Sequence, residues 1–187
     1  ELEPAFRAAL FNVVSVLTGT GYSSEDFSLW GGFPTTLFLA LALIGGCAGS
    51  TTCSAKIFRY QIMLSALRVQ IRRTHFPNGV FQLHYDHRPV DEETFDSVVA
   101  FFCVFFAAIG LWAVLLSLFD LDTITAVSGS VAALTNLGPG LGPEIGPSGN
   151  YASLPDGAKW LLSAGMVLGR LEFMSVLVLL TPVFWRR

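Results

Sequence analysis

Two short stretches of this chain carry residues that could take a cation out of water and surround it with oxygen. One is Thr18-Gly19-Thr20-Gly21 and the other is Thr135-Asn136-Leu137-Gly138. Backbone carbonyls aimed into a narrow path can replace an ion's hydration shell. Glycine lets the backbone present such carbonyls without a Cβ in the way. Gly21 and Gly138 supply that freedom, and Thr18 and Thr135 add a carbonyl or hydroxyl oxygen. The chemistry on offer is coordination rather than bond making. Gly146-Pro147-Ser148-Gly149 matches the GxSG pattern of intramembrane serine proteases. That reaction needs a histidine base within reach of the serine, and His75, His84 and His87 all sit in a different polar loop. With no cysteine beside them and no clear acidic set, those histidines read as surface residues.

The two stretches are related. Residues 14–21 align with residues 131–138, with Val, Leu, Thr and Gly identical at matching places. The surroundings match as well. Each loop follows an apolar segment, 4–16 or 124–133. At about 1.5 Å per residue, the first of these reaches only roughly 20 Å, against a hydrocarbon core of about 30 Å. Each loop leads into a polar turn with acids: Glu25 and Asp26 in one case, Glu144 and Asp156 in the other. A helix too short to cross, a Gly-broken loop and then a longer apolar run is the layout of a re-entrant pore loop. Irregular backbone survives at membrane depth only where protein buries it or where it lines a water-filled cavity. The C-terminal dipole end of each short helix would favour a cation at the loop.

The remaining elements are expected to hold these loops. Residues 33–44 are apolar, about half a span, and are interrupted by 45–56, a small and polar run containing Gly45, Gly46, Gly49, Ser50, Thr51 and Lys56. Residues 57–73 resume as an amphipathic helix, so the whole reads as a spanning helix with a flexible break that could gate the path. Residues 74–93 form the main polar loop, where Asn78-Gly79 between apolar runs signals a small hairpin. Residues 94–119 make a full span, Asp122 is a candidate N-cap for the second short helix, and 160–185 read as the last span. Arg170 and Glu172 fall inside it. A charge at the bilayer centre costs about 2.5–3.5 kcal/mol on insertion scales, so both must face protein or water. Two residues apart, they do not share a helix face. Arg170 is expected to face the ion path below the loops.

Composition agrees with a membrane chain. Of 187 residues, 52% are hydrophobic and 13% charged, whereas a soluble domain carries about 25% charged residues. The net charge of −3 and the lack of a basic block exclude a nucleic-acid partner. Cys47, Cys53 and Cys103 have no metal-ligand or disulfide spacing. The basic residues Lys56, Arg59, Arg68, Arg72, Arg73 and Arg88 cluster at the central loop, and Arg186-Arg187 close the chain. The positive-inside rule therefore places the central loop and C-terminus in the cytoplasm and opens both re-entrant loops to the outside. The start, Glu1-Leu2-Glu3-Pro4, reads as cut from a longer protein.

These motifs, in this order and along nearly the whole chain, carry a resemblance. They are Thr18–Tyr22 with Asp26-Phe27, Gly45-Gly46-Cys47-Ala48-Gly49-Ser50-Thr51, Arg88-Pro89-Val90, Thr135–Gly140, Gly169-Arg170-Leu171-Glu172 and Leu180-Thr181-Pro182-Val183-Phe184-Trp185-Arg186. The chain resembles the potassium-transporter superfamily of bacterial Trk and Ktr ion-translocating subunits and plant HKT proteins, and Trk most closely. The resemblance implies an all-α membrane protein with four helix–pore-loop–helix repeats, of which this chain holds two. Residues 1–73 would be the third repeat without its first helix, 74–93 a cytoplasmic loop, and 94–187 the fourth repeat. Gly21 and Gly138 match the family's filter glycines, residues 45–56 its intramembrane gating loop, and Arg170 its arginine below the filter. Gly19 stands where a threonine is more usual. The implied function is potassium transport in the plasma membrane, with K+ as the transported ion and no cofactor. The implied partners are the N-terminal repeats of the same protein, a second copy in a homodimer, lipid, and a cytosolic nucleotide-binding regulatory subunit.

Overall fold

The computed structural model describes residues 2–46, 53–86, 88–171, 173–182 and 184–186. The chain runs through α1 (Leu2–Thr18), α2 (Gly32–Leu43), α3 (Ile57–His75), strands β1 (His84–Tyr85) and β2 (Arg88–Pro89), α4 (Glu92–Ser117), α5 (Thr123–Thr135), α6 (Asp156–Arg170) and α7 (Phe173–Leu180). Short 3₁₀ turns at Phe27–Trp30 and Tyr151–Ser153 precede α2 and α6.

Local chemistry places several of these ends. Pro4 lies in the first turn of α1, where a missing N–H costs nothing, and Glu3 pairs with Arg7 one turn on. Glu92 and Glu93 begin α4 and suit the positive end of its dipole. Arg72, Arg73 and His75 suit the negative end of α3. Asp120, at φ 57°, turns the chain out of α4. Asp122 then caps α5 as expected, its carboxylate accepting from the Ile124 amide at 3.3 Å.

The centre of the molecule is α5. It lies between α4 and α6, with α2 alongside. Residues of α5 enter all three apolar clusters. Leu134 packs with Ile62, Val98, Phe101, Phe102 and Phe105 from α3 and α4. Val131 packs with Val16 of α1, Phe27, and Phe38 and Ala42 of α2. Ala126 and Ala133 pack with Leu116, Ile145, Leu154, Ala158 and Leu162. From Thr125 to Thr135 only Val127 is exposed. Small residues make this possible: Ser128, Gly129, Ser130, Ala132 and Ala133 let neighbouring helices approach closely. By contrast, α1 buries Ala8, Asn12, Ser15 and Val16 and leaves Phe6, Leu10, Phe11 and Val14 exposed.

Three expectations change in detail. The last span is not one helix: α6 stops at Arg170, Leu171 closes it with its amide on the Val167 carbonyl at 3.1 Å, and α7 begins at Phe173. Accordingly α4 is the one helix among the described residues that is long and apolar enough to cross a bilayer. The hairpin forms, but not at Asn78-Gly79. That pair makes a single turn, with the Gly79 amide on the Phe76 carbonyl at 3.0 Å. The strands pair His84 with Pro89 and Tyr85 with Arg88 instead, because Asp86 at φ 47° supplies the left-handed turn. Finally, the break at 45–56 is closed at its base. Ile44 and Ala55 form a parallel bridge, the Gly45 amide donates to the Ala55 carbonyl at 3.0 Å, and the Ile57 amide to the Gly46 carbonyl at 3.3 Å.

Candidate functional site: two matched loop ends

The aligned stretches adopt the same backbone. Both α1 and α5 end at the aligned threonine, Thr18 and Thr135. The next residue is left-handed in each, Gly19 at φ 69° and Asn136 at φ 53°. Glycine and asparagine are the residue types that tolerate this conformation best. The amides of Gly19 and Asn136 donate to the carbonyls of Val16 and Ala133 at 3.1 and 3.2 Å, and those of Thr20 and Leu137 donate to Ser15 and Ala132 at 2.9 and 3.1 Å. This pair of bonds is a Schellman motif, made twice at equivalent positions. Two residues beyond Gly19 and Asn136 the chain is again at positive φ, 78° at Gly21 and 103° at Gly138. Each threonine hydroxyl donates one turn back at 2.8 Å, Thr18 to Val14 and Thr135 to Val131. The Thr18 hydroxyl also lies 2.8 Å from the Thr20 hydroxyl.

The fold brings the two loops together. A Cβ added at Gly21 would overlap the Leu137 carbonyl oxygen and lie 3.2 Å from Pro139 Cδ. The requirement at Gly138 differs. Nothing lies within 4 Å of an added Cβ there, so only its φ, not crowding, calls for glycine. Further out, Ser23 Oγ donates to the Pro147 carbonyl at 3.1 Å, linking the two outer turns.

What braces each loop is not the same. Under the first, the buried Asn12 donates to the Ala8 carbonyl at 3.0 Å and to Ser24 Oγ at 3.1 Å, and accepts from the Ser24 amide at 3.1 Å. Ser15 Oγ donates to the Tyr22 carbonyl at 2.6 Å. The aligned positions in α5 are Gly129 and Ala132, which can make none of these bonds. The second loop is held from other directions. Ser128 Oγ accepts from the Leu141 amide at 2.9 Å and donates to its carbonyl at 3.1 Å. Asn136 Nδ2 donates to the Met166 carbonyl of α6 at 3.0 Å. Gly169 of α6 lies against the Leu134 carbonyl so closely that a Cβ would overlap it. From the segment that follows the loop, the Tyr151 hydroxyl donates to the Gly138 carbonyl at 2.5 Å. Burial pushes the Tyr151 phenol up to about 12, so it remains a donor at neutral pH.

Arg170 ends α6, and its Nη1 donates to Cys53 Sγ at 3.3 Å. Arg170 is thus in contact with the 45–56 segment. Lys56 is the N-cap residue of α3, and Gly45 is buried against Ser54, whose Oγ would lie 2.5 Å from an added Cβ. Gly49, Ser50 and Thr51, along with Glu172, lie outside the described residues. Sequence reasoning missed Asn12, Ser15, Ser128 and Tyr151. Asn12 and Ser15 carried a signal, polar residues one turn apart on an otherwise apolar helix. Tyr151 carried none.

A long apolar helix, a half-length buried helix ending in a left-handed loop, and a further helix make a mostly helical fold of the kind found in membrane transporters. The chain belongs to the family described as TrkH, cation transport protein, which matches residues 2–186. It is 50% identical over 187 residues to the Trk system potassium uptake protein TrkI of Halomonas elongata, covering 98% of this chain and 38% of that protein. It is 35% identical to the Trk system potassium uptake protein TrkH of Escherichia coli K12, covering 95% of this chain and 36% of that one. The crystal structure of the potassium transporter TrkH from Vibrio parahaemolyticus superposes with a TM-score of 0.91 at 33% identity, over 100% of this chain and 39% of that one. The chain therefore spans less than two-fifths of the length of these relatives. Family membership makes it a membrane-embedded chain.

Proposed function

We propose that this chain is the C-terminal part of a potassium uptake protein and forms two of the four walls around its ion path. Residues 1–73 act as the third repeat without its first helix, 74–93 as a cytoplasmic loop and 94–187 as the fourth repeat. In this reading Thr18, Gly19, Thr20 and Gly21 line one wall, and Thr135, Asn136, Leu137 and Gly138 the next. K+ is the cargo and no cofactor takes part. The single observation that carries the reading is the repeated loop end: the same Schellman pair, with the glycine of one loop against a carbonyl of the other. Alternating φ sign over three residues can bring successive carbonyls to one side, as coordination of a desolvated cation requires. The negative ends of two helix dipoles at the same level add to the attraction.

Gating falls to the 45–56 segment, through Gly45, Gly46, Gly49, Ser50, Thr51 and Lys56, together with Arg170. The contact between Arg170 and Cys53 supports a shared role. A fixed positive charge below the loops would oppose cation passage until it moves. The acidic turns face outside, and the basic central loop and C-terminus face the cytoplasm of the plasma membrane. The partners in this reading are the N-terminal repeats of the same protein, a second copy, lipid, and a cytosolic nucleotide-binding regulatory subunit.

The test is potassium uptake by cells lacking their own transporters and given the full-length protein, with and without Gly138→Ser. Serine at φ 103° is strained whatever the space. Growth on low potassium is expected to fail with the variant. Equal growth would sink the pore reading in favour of a non-conducting subunit.

A further inference from the structure

No atom lies within 4 Å of a Cβ added at Gly138, so side-chain crowding does not fix this end of the second loop. It is instead held by a phenol from thirteen residues further on. The segment between is built to deliver that phenol. The Gly140 amide donates to the Ile145 carbonyl at 2.8 Å, the Asn150 amide to the Glu144 carbonyl at 3.1 Å, and the Gly149 amide to the Gly146 carbonyl at 2.8 Å. Asn150 then caps the 3₁₀ turn that starts at Tyr151, its Oδ1 accepting from the Ala152 amide at 2.9 Å. The Tyr151 ring packs on the cluster around Ile145, Leu154 and Leu162. A flexible Gly/Pro stretch is thus folded into a strut with a hydroxyl at its tip.

We infer that Tyr151 is a positioning residue for ion selection: its hydroxyl fixes the orientation of the Gly138 carbonyl and keeps the second loop from closing around a smaller cation. The inference rests on the pore reading above. A loose carbonyl can move inward to meet Na+, whereas a tethered one retains the wider spacing that suits K+. A donor bonded to that oxygen also lowers the electron density available to an ion. Smaller ions gain more from a strong, close oxygen, so both effects favour K+ over Na+. Because its phenol is pushed up to about 12, Tyr151 keeps its proton throughout the working pH range.

The experiment measures K+ and Na+ fluxes separately in liposomes containing the full-length transporter, for wild type, Tyr151→Phe and Gly138→Ser. A defect in folding or assembly scales both fluxes together and leaves their ratio unchanged. With Tyr151→Phe the Na+/K+ ratio is expected to rise about fivefold, the scale set by the net worth of one hydrogen bond. Replacing Tyr151 with 3-fluorotyrosine, a stronger donor of nearly the same shape, is expected to lower the ratio. A ratio unmoved in both variants overturns the inference and leaves the pore reading standing. Wild-type K+ flux in Gly138→Ser overturns the pore reading itself.

Discussion

Gly21 and Leu137 meet backbone to backbone: the space a side chain at Gly21 would need is filled by the Leu137 carbonyl oxygen. Two residues 116 positions apart in the chain therefore share one boundary, and neither loop can shift without the other. Gly21→Ala is expected to displace that carbonyl and also to strain a backbone at φ 78°, a cost of about 1–3 kcal/mol. Potassium uptake by the full-length protein should fall at least as far as with Gly138→Ser, because it disturbs both loops. Uptake equal to wild type would show that the contact is not maintained.

Asn12 supplies both its donor and its acceptor to the first loop while fully buried. Asn12→Ala leaves the Ser24 amide without its partner, at about 1–3 kcal/mol. The thermal midpoint of the purified full-length protein should drop clearly. Asn12→Asp keeps the acceptor for the Ser24 amide but turns a fully buried carboxylate toward the Ala8 carbonyl, so a drop at least as large is expected.

Asp122→Ala removes the cap of α5 and is expected to cost about 1 kcal/mol. Since the carboxylate lies at the far end of the helix from Thr135, ion selectivity should not change. A measured shift in the Na+/K+ flux ratio would contradict this separation.

Gly169 has no room for a Cβ against the Leu134 carbonyl. Gly169→Ala should push α6 away from the base of the second loop and stretch the Asn136–Met166 bond. Thermal stability and potassium flux are both expected to fall. Arg170→Ala, one residue on, should leave stability near wild type and raise basal cation flux. The pair of measurements separates packing from charge.

The Tyr151 phenol predicts a pH effect with a definite sign. Its raised value in the folded protein means the unfolded chain loses that proton first, near 10. Its contribution is complete below that pH and is lost as pH rises toward about 12. The stability difference between wild type and Tyr151→Phe should therefore be constant up to about pH 9 and shrink above it. Thermal midpoints measured across that range check the trend.

Much of this arrangement could be read from residue types, for physical reasons. A Schellman end needs a residue that accepts left-handed φ, and Gly19 and Asn136 are such residues in aligned places. The cap at Asp122 is equally local. Other features depend on contacts between distant segments. The hairpin formed at Asp86 rather than Asn78-Gly79, because strand pairing packs β1 against α3, where Ser65 Oγ donates to the His84 carbonyl at 2.9 Å. The division of the last span after Arg170 has only Gly169 as a local signal, and the same residue type sits inside α6 at Gly165 without ending it. Tyr151 is one aromatic among many until the 138–155 segment folds and aims it.

The uneven bracing of the two loops has a consequence for any ring they help to build. One is shored up by Asn12 and Ser15 of its own short helix, the other by Ser128 of its helix, by a phenol from the segment that follows, and by its own Asn136 amide reaching out to α6. Equal backbones on unequal supports respond differently to temperature, pressure or a passing charge. An ion between them would sit in an oval rather than a square, and its stiff and soft axes would be set by different genetic positions. Mutations could then retune one diameter of the aperture while leaving the other untouched.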